Sequence, residues 1–105
     1  MSAQTAFDVL AEPSRRGILD LLLERERSVG ELVEAMPLSQ PGVSRHLRVM
    51  REAGLVTVRV EGQRRWYGVR PEPLRELEAW LAPYRRLWST SLDALADHLN
   101  SEDED

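Results

Sequence analysis

The residues best equipped for chemistry lie on one short segment: Ser39, Gln40, Ser44, Arg45 and Arg48. Glutamine pairs with adenine edges, arginine with guanine edges and phosphate, and serine with any base. Gln40, Ser44 and Arg48 recur every four residues, so a helix would align them in one row, with Pro41 and Arg45 beside it. The apolar residues of the same segment, Val43, Leu47 and Met50, are spaced by four and three and define the opposite, inward side. Arg51 lies a turn further on, placed for phosphate. His46 is one step from Leu47. It is expected to be half-buried and to donate to backbone or phosphate. The chemistry these types and spacings imply is recognition of a nucleic-acid duplex.

Bond-making chemistry finds little support. Cysteine is absent, which removes disulfides, thiolate metal sites and thiol nucleophiles. The only two histidines, His46 and His98, are far apart in the chain, and no glycine-rich phosphate loop is present. Metal ligation is not expected either. Glu31 and Glu34 offer carboxylates only, whereas tetrahedral transition-metal sites favour imidazole and thiolate. Near the C-terminus, Asp93, Asp97 and His98 could contribute, but on a helix the adjacent pair Asp97 and His98 point about 100° apart. No catalytic residue, metal or cofactor is therefore assigned.

The charge is sorted along the chain. Its net value is −4 over 105 residues. Residues 40–70 nevertheless hold seven arginines (45, 48, 51, 59, 64, 65 and 70) against Glu52 and Glu61, a local balance of +5. The acidity comes from the flanks and from the last four residues. A local basic face governs phosphate contact more than the whole-chain charge does. All 14 basic residues are arginine.

Local signals place these residues on elements. Residues 5–11 read as a short helix with Phe7 and Leu10 on one side. Pro13 suits the first turn of a second helix reaching about Glu24, with Ile18, Leu21 and Leu22 inward. Ser28 and Glu31 form a capping box for a third helix, which places Val29, Leu32, Val33 and Met36 inward and stops before Pro37. Ser39 is a second N-cap, Pro41 is tolerated in the following turn, and Gly54 ends the helix over residues 40–53. The period then switches. Residues 55–60 are β-branched and 64–69 return antiparallel, joined by a turn containing Gly62. Beyond Pro71 and Pro73 a helix carries Leu74, Leu77, Leu81, Tyr84, Trp88, Leu92, Leu95 and Leu99, with Trp80 and Leu87 widening the stripe. Pro83 interrupts it, which predicts a kink or two consecutive helices. The final residues, 101–105, read as a polar, frayed tail.

Two short helices joined by a four-residue turn (residues 36–39) and followed directly by a basic hairpin make a helix-turn-helix with a wing. The expected fold is mainly α with a small β-hairpin, one domain spanning 1–105, with about 5–100 ordered. The second helix would enter a major groove, while Arg59, Gln63, Arg64 and Arg65 of the wing would lie along or enter a minor groove.

Several motifs in order resemble the ArsR family of bacterial winged-helix repressors: LAEPSRRGIL at 10–19, LSQPGVSRHL at 38–47, REAGLV at 51–56 and GQRRWY at 62–67. The resemblance covers roughly residues 5–100. It implies a homodimer that binds an imperfect palindrome and represses transcription, with Ser39, Gln40, Ser44, Arg45 and Arg48 at the DNA surface. Family members that sense metals use a thiolate pair or paired Asp and His ligands on the last helix. This chain lacks both and is similar to the metal-independent branch, whose members often regulate themselves or a neighbouring operon.

The last helix presents more apolar surface than one small core can absorb, which points to a subunit interface. Phe7, Leu10, Leu77, Trp80, Leu81, Tyr84, Trp88, Leu92 and Leu95 are its expected members. The other possibility is that this helix folds back over its own core. If a small-molecule effector exists, aromatic clustering points to Trp80, Tyr84 and Trp88, although those residues also suit a core. No apolar run approaches the roughly 20 residues of a membrane span, and the start, MSAQTAFDVL, lacks the features of a secretory signal. The cytoplasm is the expected location. The competing function is a winged helix that binds a partner protein, which would need no phosphate-facing arginine row.

Overall fold

The computed structural model describes residues 3–103. In order these form α1 (Ala3–Leu10), α2 (Pro13–Glu24), α3 (Val29–Ala35), α4 (Gln40–Glu52), the strands β1 (Val56–Glu61) and β2 (Arg64–Val69), and α5 (Glu72–Asp103). This is a winged helix-turn-helix with a long C-terminal helix.

Caps set the helix boundaries. The Glu12 carboxylate accepts from the Ser14 N–H at the start of α2, where Pro13 occupies the first turn. Ser28 accepts from the Glu31 N–H (3.3 Å) to open α3, and its hydroxyl lies 3.4 Å from Glu31 Oε1. Ser39 accepts from the Gly42 N–H (3.2 Å) to open α4. Gly54 closes α4 at φ 76°, a left-handed angle that a side chain would resist. Its N–H reaches the Arg51 carbonyl, and the Leu55 N–H reaches that of Met50, so both orphan carbonyls are satisfied. Leu55 and Met50 are both fully buried, which locks α4 to the start of the wing.

Two arginines finish α1. Arg16 donates to the Leu10 (2.7 Å) and Ala11 (3.2 Å) carbonyls, and Arg15 donates to that of Val9 (3.3 Å). Cations placed here complement both the unpaired carbonyls and the helix dipole. Arg27 does the same for α2 through the Leu21 carbonyl (2.9 Å). Its backbone also exchanges two hydrogen bonds with Tyr67, so the segment before α3 braces β2.

The hairpin is antiparallel, with Val56 opposite Val69 and Glu61 opposite Arg64. Its two-residue loop starts with Gly62 at φ 62°, the position where a tight hairpin requires positive φ. Ile18, Leu22, Leu32, Val43, Leu47, Met50, Leu55, Val56 and Tyr67 form one core, extended by Ala6 and Val9 of α1. Burying these side chains, each on the order of 1.5–3 kcal/mol for the large ones, drives the assembly of helices too short to persist alone.

Of the two outcomes expected at Pro83, two consecutive helices are not formed. α5 is one helix running through Pro83. Proline removes the N–H that would meet the Ala79 carbonyl, but Ala79 is exposed, so water can take that acceptor. The helix also continues through Asp103, into the stretch expected to fray, while Glu104 and Asp105 lie outside the described residues. A helix of 32 residues is about 48 Å long, which explains the elongated 66 × 29 × 22 Å molecule.

Candidate nucleic-acid interface

Helix α4 turns Val43, Leu47 and Met50 into the core and leaves Gln40, Pro41, Ser44, Arg45, Arg48 and Arg51 exposed. Ser39 sits at the exposed entry to the helix. The N-cap bond uses its oxygen as acceptor and leaves its hydroxyl hydrogen available. Gly42 lies in the same turn, where a Cβ would come 3.2 Å from Ser39 Oγ. Arg45, Arg48 and Arg51 enter no ion pair among the described residues. Their charges are therefore uncompensated locally.

His46 is half-buried on the flank of α4 that faces α2. Its Nδ1 accepts from Arg15 Nε (3.3 Å), which leaves Nε2 as the ring nitrogen able to donate.

The wing separates into two parts. At the tip, Gln63, Arg64 and Arg65 are exposed, and the Arg64 guanidinium lies 5.9 Å from the centre of the Trp66 ring. Arg59 behaves differently from the expected phosphate contact. It is held by Glu61 (2.6 Å) and Glu26 (3.1 Å), and these carboxylates raise its pKa. Two acids already balance its charge, so the structure does not group it with the free arginines.

Between α3 and the wing tip lies an open cleft of about 500 Å³, with Glu31 and Glu34 on one wall and Gln63, Arg64 and Arg65 on the other. Glu31 is engaged there. A bond from Arg25 (2.6 Å) holds its carboxyl below the usual range, against a smaller opposing effect of burial.

The expected interface residues fall into two groups. Leu10 and Leu77 are partly buried and pack against the core, and Leu81 is half-buried. Phe7, Trp80 and Tyr84 form an exposed aromatic cluster. Phe7 meets Trp80 edge-on (centroids 5.2 Å), and Trp80 lies 4.8 Å from Tyr84. Beyond it, every residue from Pro83 to Asn100 is exposed. Trp88, Leu92 and Leu95 thus meet no neighbour, and Leu87 and Leu99 extend the stripe. The possible fold-back of this helix does not occur.

Among the described residues, no group of three or more His, Asp or Glu side chains is placed to hold a metal, and no helix is long and apolar enough to cross a membrane.

A core-anchored helix with an exposed polar and cationic face, flanked by a basic hairpin, defines a winged helix-turn-helix transcriptional regulator. Residues 12–58 match the family described as bacterial regulatory protein, arsR family. Over 104 residues the chain is 38% identical to the HTH-type transcriptional regulator Rv2034 of Mycobacterium tuberculosis, covering 99% of this chain and 94% of that one. It is 42% identical over 77 residues to the arsenical resistance operon repressor of Escherichia coli, covering 72% of this chain and 62% of the repressor. The crystal structure of the ArsR family transcriptional regulator RHA00566 superposes with a TM-score of 0.71 at 29% identity, covering 82% of this chain and 94% of that one. This chain belongs to the arsR family of bacterial regulatory proteins.

Proposed function

We propose that the chain is a homodimeric repressor that binds an imperfect palindromic DNA operator and controls its own gene or an adjacent operon in the cytoplasm. The observation that carries this reading is the exposed face of α4, where Arg45, Arg48 and Arg51 stand unpaired beside Gln40 and Ser44. These are side chains that read base edges and phosphates. Ser39, Pro41 and His46 border that face, and Gln63, Arg64 and Arg65 supply the wing contact to the backbone.

The unpartnered stripe of α5 supports the dimer. A second copy would cover Trp88, Leu92 and Leu95 with the same surface, as a twofold interface requires. The two recognition helices would then sit roughly 34 Å apart, facing successive major grooves. Linking two weak half-site contacts raises affinity by on the order of 10²–10⁴ through effective concentration. The relatives named as repressors favour repression over activation. Docking on a partner protein would leave the unpaired arginines of α4 without a role.

The test is Arg45→Ala combined with Arg48→Ala, read by gel shift on DNA from upstream of the protein's own gene and by sedimentation. Each base-reading arginine is worth about 1–3 kcal/mol, so specific retardation should vanish while the dimer mass stays. Retained sequence-specific binding would remove α4 from the recognition role.

A further inference from the structure

We propose that Arg15 is a positioning residue of the recognition helix, whose guanidinium ties the end of α1 to the His46 imidazole and holds that ring with its hydrogen on Nε2. The proposal rests on the reading of α4 as the DNA-facing helix.

The guanidinium makes two bonds in different directions. Nε donates to His46 Nδ1 on α4 (3.3 Å), and Nη1 donates to the Val9 carbonyl on α1 (3.3 Å). Arginine has no acceptor, so His46 Nδ1 must be bare where the two meet. A neutral imidazole with Nδ1 bare carries its hydrogen on Nε2. The second nitrogen of the ring, Nε2, is then fixed as a donor, the type needed against a phosphate oxygen. Neither bond is short, yet one planar, rigid fork makes both, so forming the first orients the second.

The neighbouring arginine provides the contrast. Arg16 also closes α1, through Leu10 and Ala11, but none of its bonds reaches α4. Finishing a helix end therefore does not require the reach that Arg15 makes. Through Phe7 and Trp80, α1 is in turn joined to α5. A connected line thus runs from the proposed subunit-joining helix through α1 and Arg15 to the helix proposed to read DNA.

The experiment compares Arg15→Ala, Arg15→Lys and Arg16→Ala in the full chain. Ring tautomers are read on the free protein by long-range ¹⁵N–¹H correlation, with His46→Asn identifying the His46 signals. Wild type should show the Nε2–H pattern. Arg15→Ala, which lifts the donor from Nδ1, should admit the Nδ1–H form beside Nε2–H and bind the operator about tenfold more weakly, the scale of one net hydrogen bond in each half-site. Arg15→Lys, which keeps the charge but lacks the fork, should also weaken binding and serves if the alanine variant is unfolded. Arg16→Ala should leave ring and affinity unchanged. An unaltered His46 pattern in both Arg15 variants overturns the proposal. So does an equal loss of affinity in Arg16→Ala, or an altered ring with undiminished binding. A wild type that retards no duplex overturns the DNA reading instead, and the tautomer, measured without DNA, tells the two failures apart.

Discussion

The division of the wing into free and balanced arginines can be tested by salt titration. Arg64 and Arg65 are exposed at the tip and enter no ion pair among the described residues, whereas Arg59 is bonded to Glu61 and Glu26 and its pKa is raised by them. With Arg45, Arg48 and Arg51, a subunit of the proposed dimer would offer DNA five cations outside any ion pair, and the twofold pair ten. Each neutralised phosphate contributes about −0.9 to the slope of log affinity against log salt, so the ceiling for the pair is about −9. Arg64→Ala with Arg65→Ala removes four of these charges per dimer and should flatten the slope by up to about 3.6. Arg59→Ala should move it by less than about 1, because a cation already matched by two carboxylates releases few counterions from DNA. Fluorescence anisotropy on an operator duplex, from about 50 to about 300 mM salt, resolves differences of that size. The reasoning fails if Arg59→Ala flattens the line as much as the tip variant does, or if the tip variant leaves it unchanged.

The exposed stripe and the acid limb of stability give two more expectations. Leu92 is 65% exposed, so Leu92→Glu should cost a lone subunit little, yet in a twofold interface it would bury a carboxylate from each copy. Sedimentation should show monomer, with operator affinity down by on the order of 10²–10⁴, and Trp88→Glu should do the same; an unchanged dimer mass refutes the interface. Glu31 titrates lower in the folded chain than in the unfolded one because Arg25 bonds its carboxylate. Its stabilisation is therefore complete above the ordinary glutamate range and is lost as pH falls through the lowered folded value. Melting followed by circular dichroism should show a shallower acid limb for Glu31→Gln, and a limb parallel to wild type would show that the ion pair is not felt.

Local chemistry made the reading core legible in the sequence. Ser28, Ser39 and Gly54 mark helix ends by bonds to residues three places away, and Pro41 suits a first turn, so α3 and α4 could be bounded from the chain alone. The spacing of Val43, Leu47 and Met50 then oriented α4. What stayed hidden depended on distant partners. Arg59 looks free until Glu26 is brought beside it from the segment after α2, and the Arg15 donor that meets His46 Nδ1 arrives from α2. On α1 the sequence singled out Phe7 and Leu10, and the structure adds the small residues Ala6 and Val9 as its buried, core-facing side. Pro83 does not split α5 in two, because on an exposed helix water can take the carbonyl that the proline leaves unpaired.

The overhanging part of α5 has a consequence for when such a protein works. Most of a helix's stability in a protein comes from packing its apolar face, and beyond Pro83 every residue of α5 through Asn100 is exposed. Whatever covers the stripe must also supply its order. If the cover is a second copy, completion of the fold and pairing become a single event governed by mass action. The number of molecules in the cell would then set a threshold below which the gene it controls escapes silencing, whatever the strength of its grip on the operator.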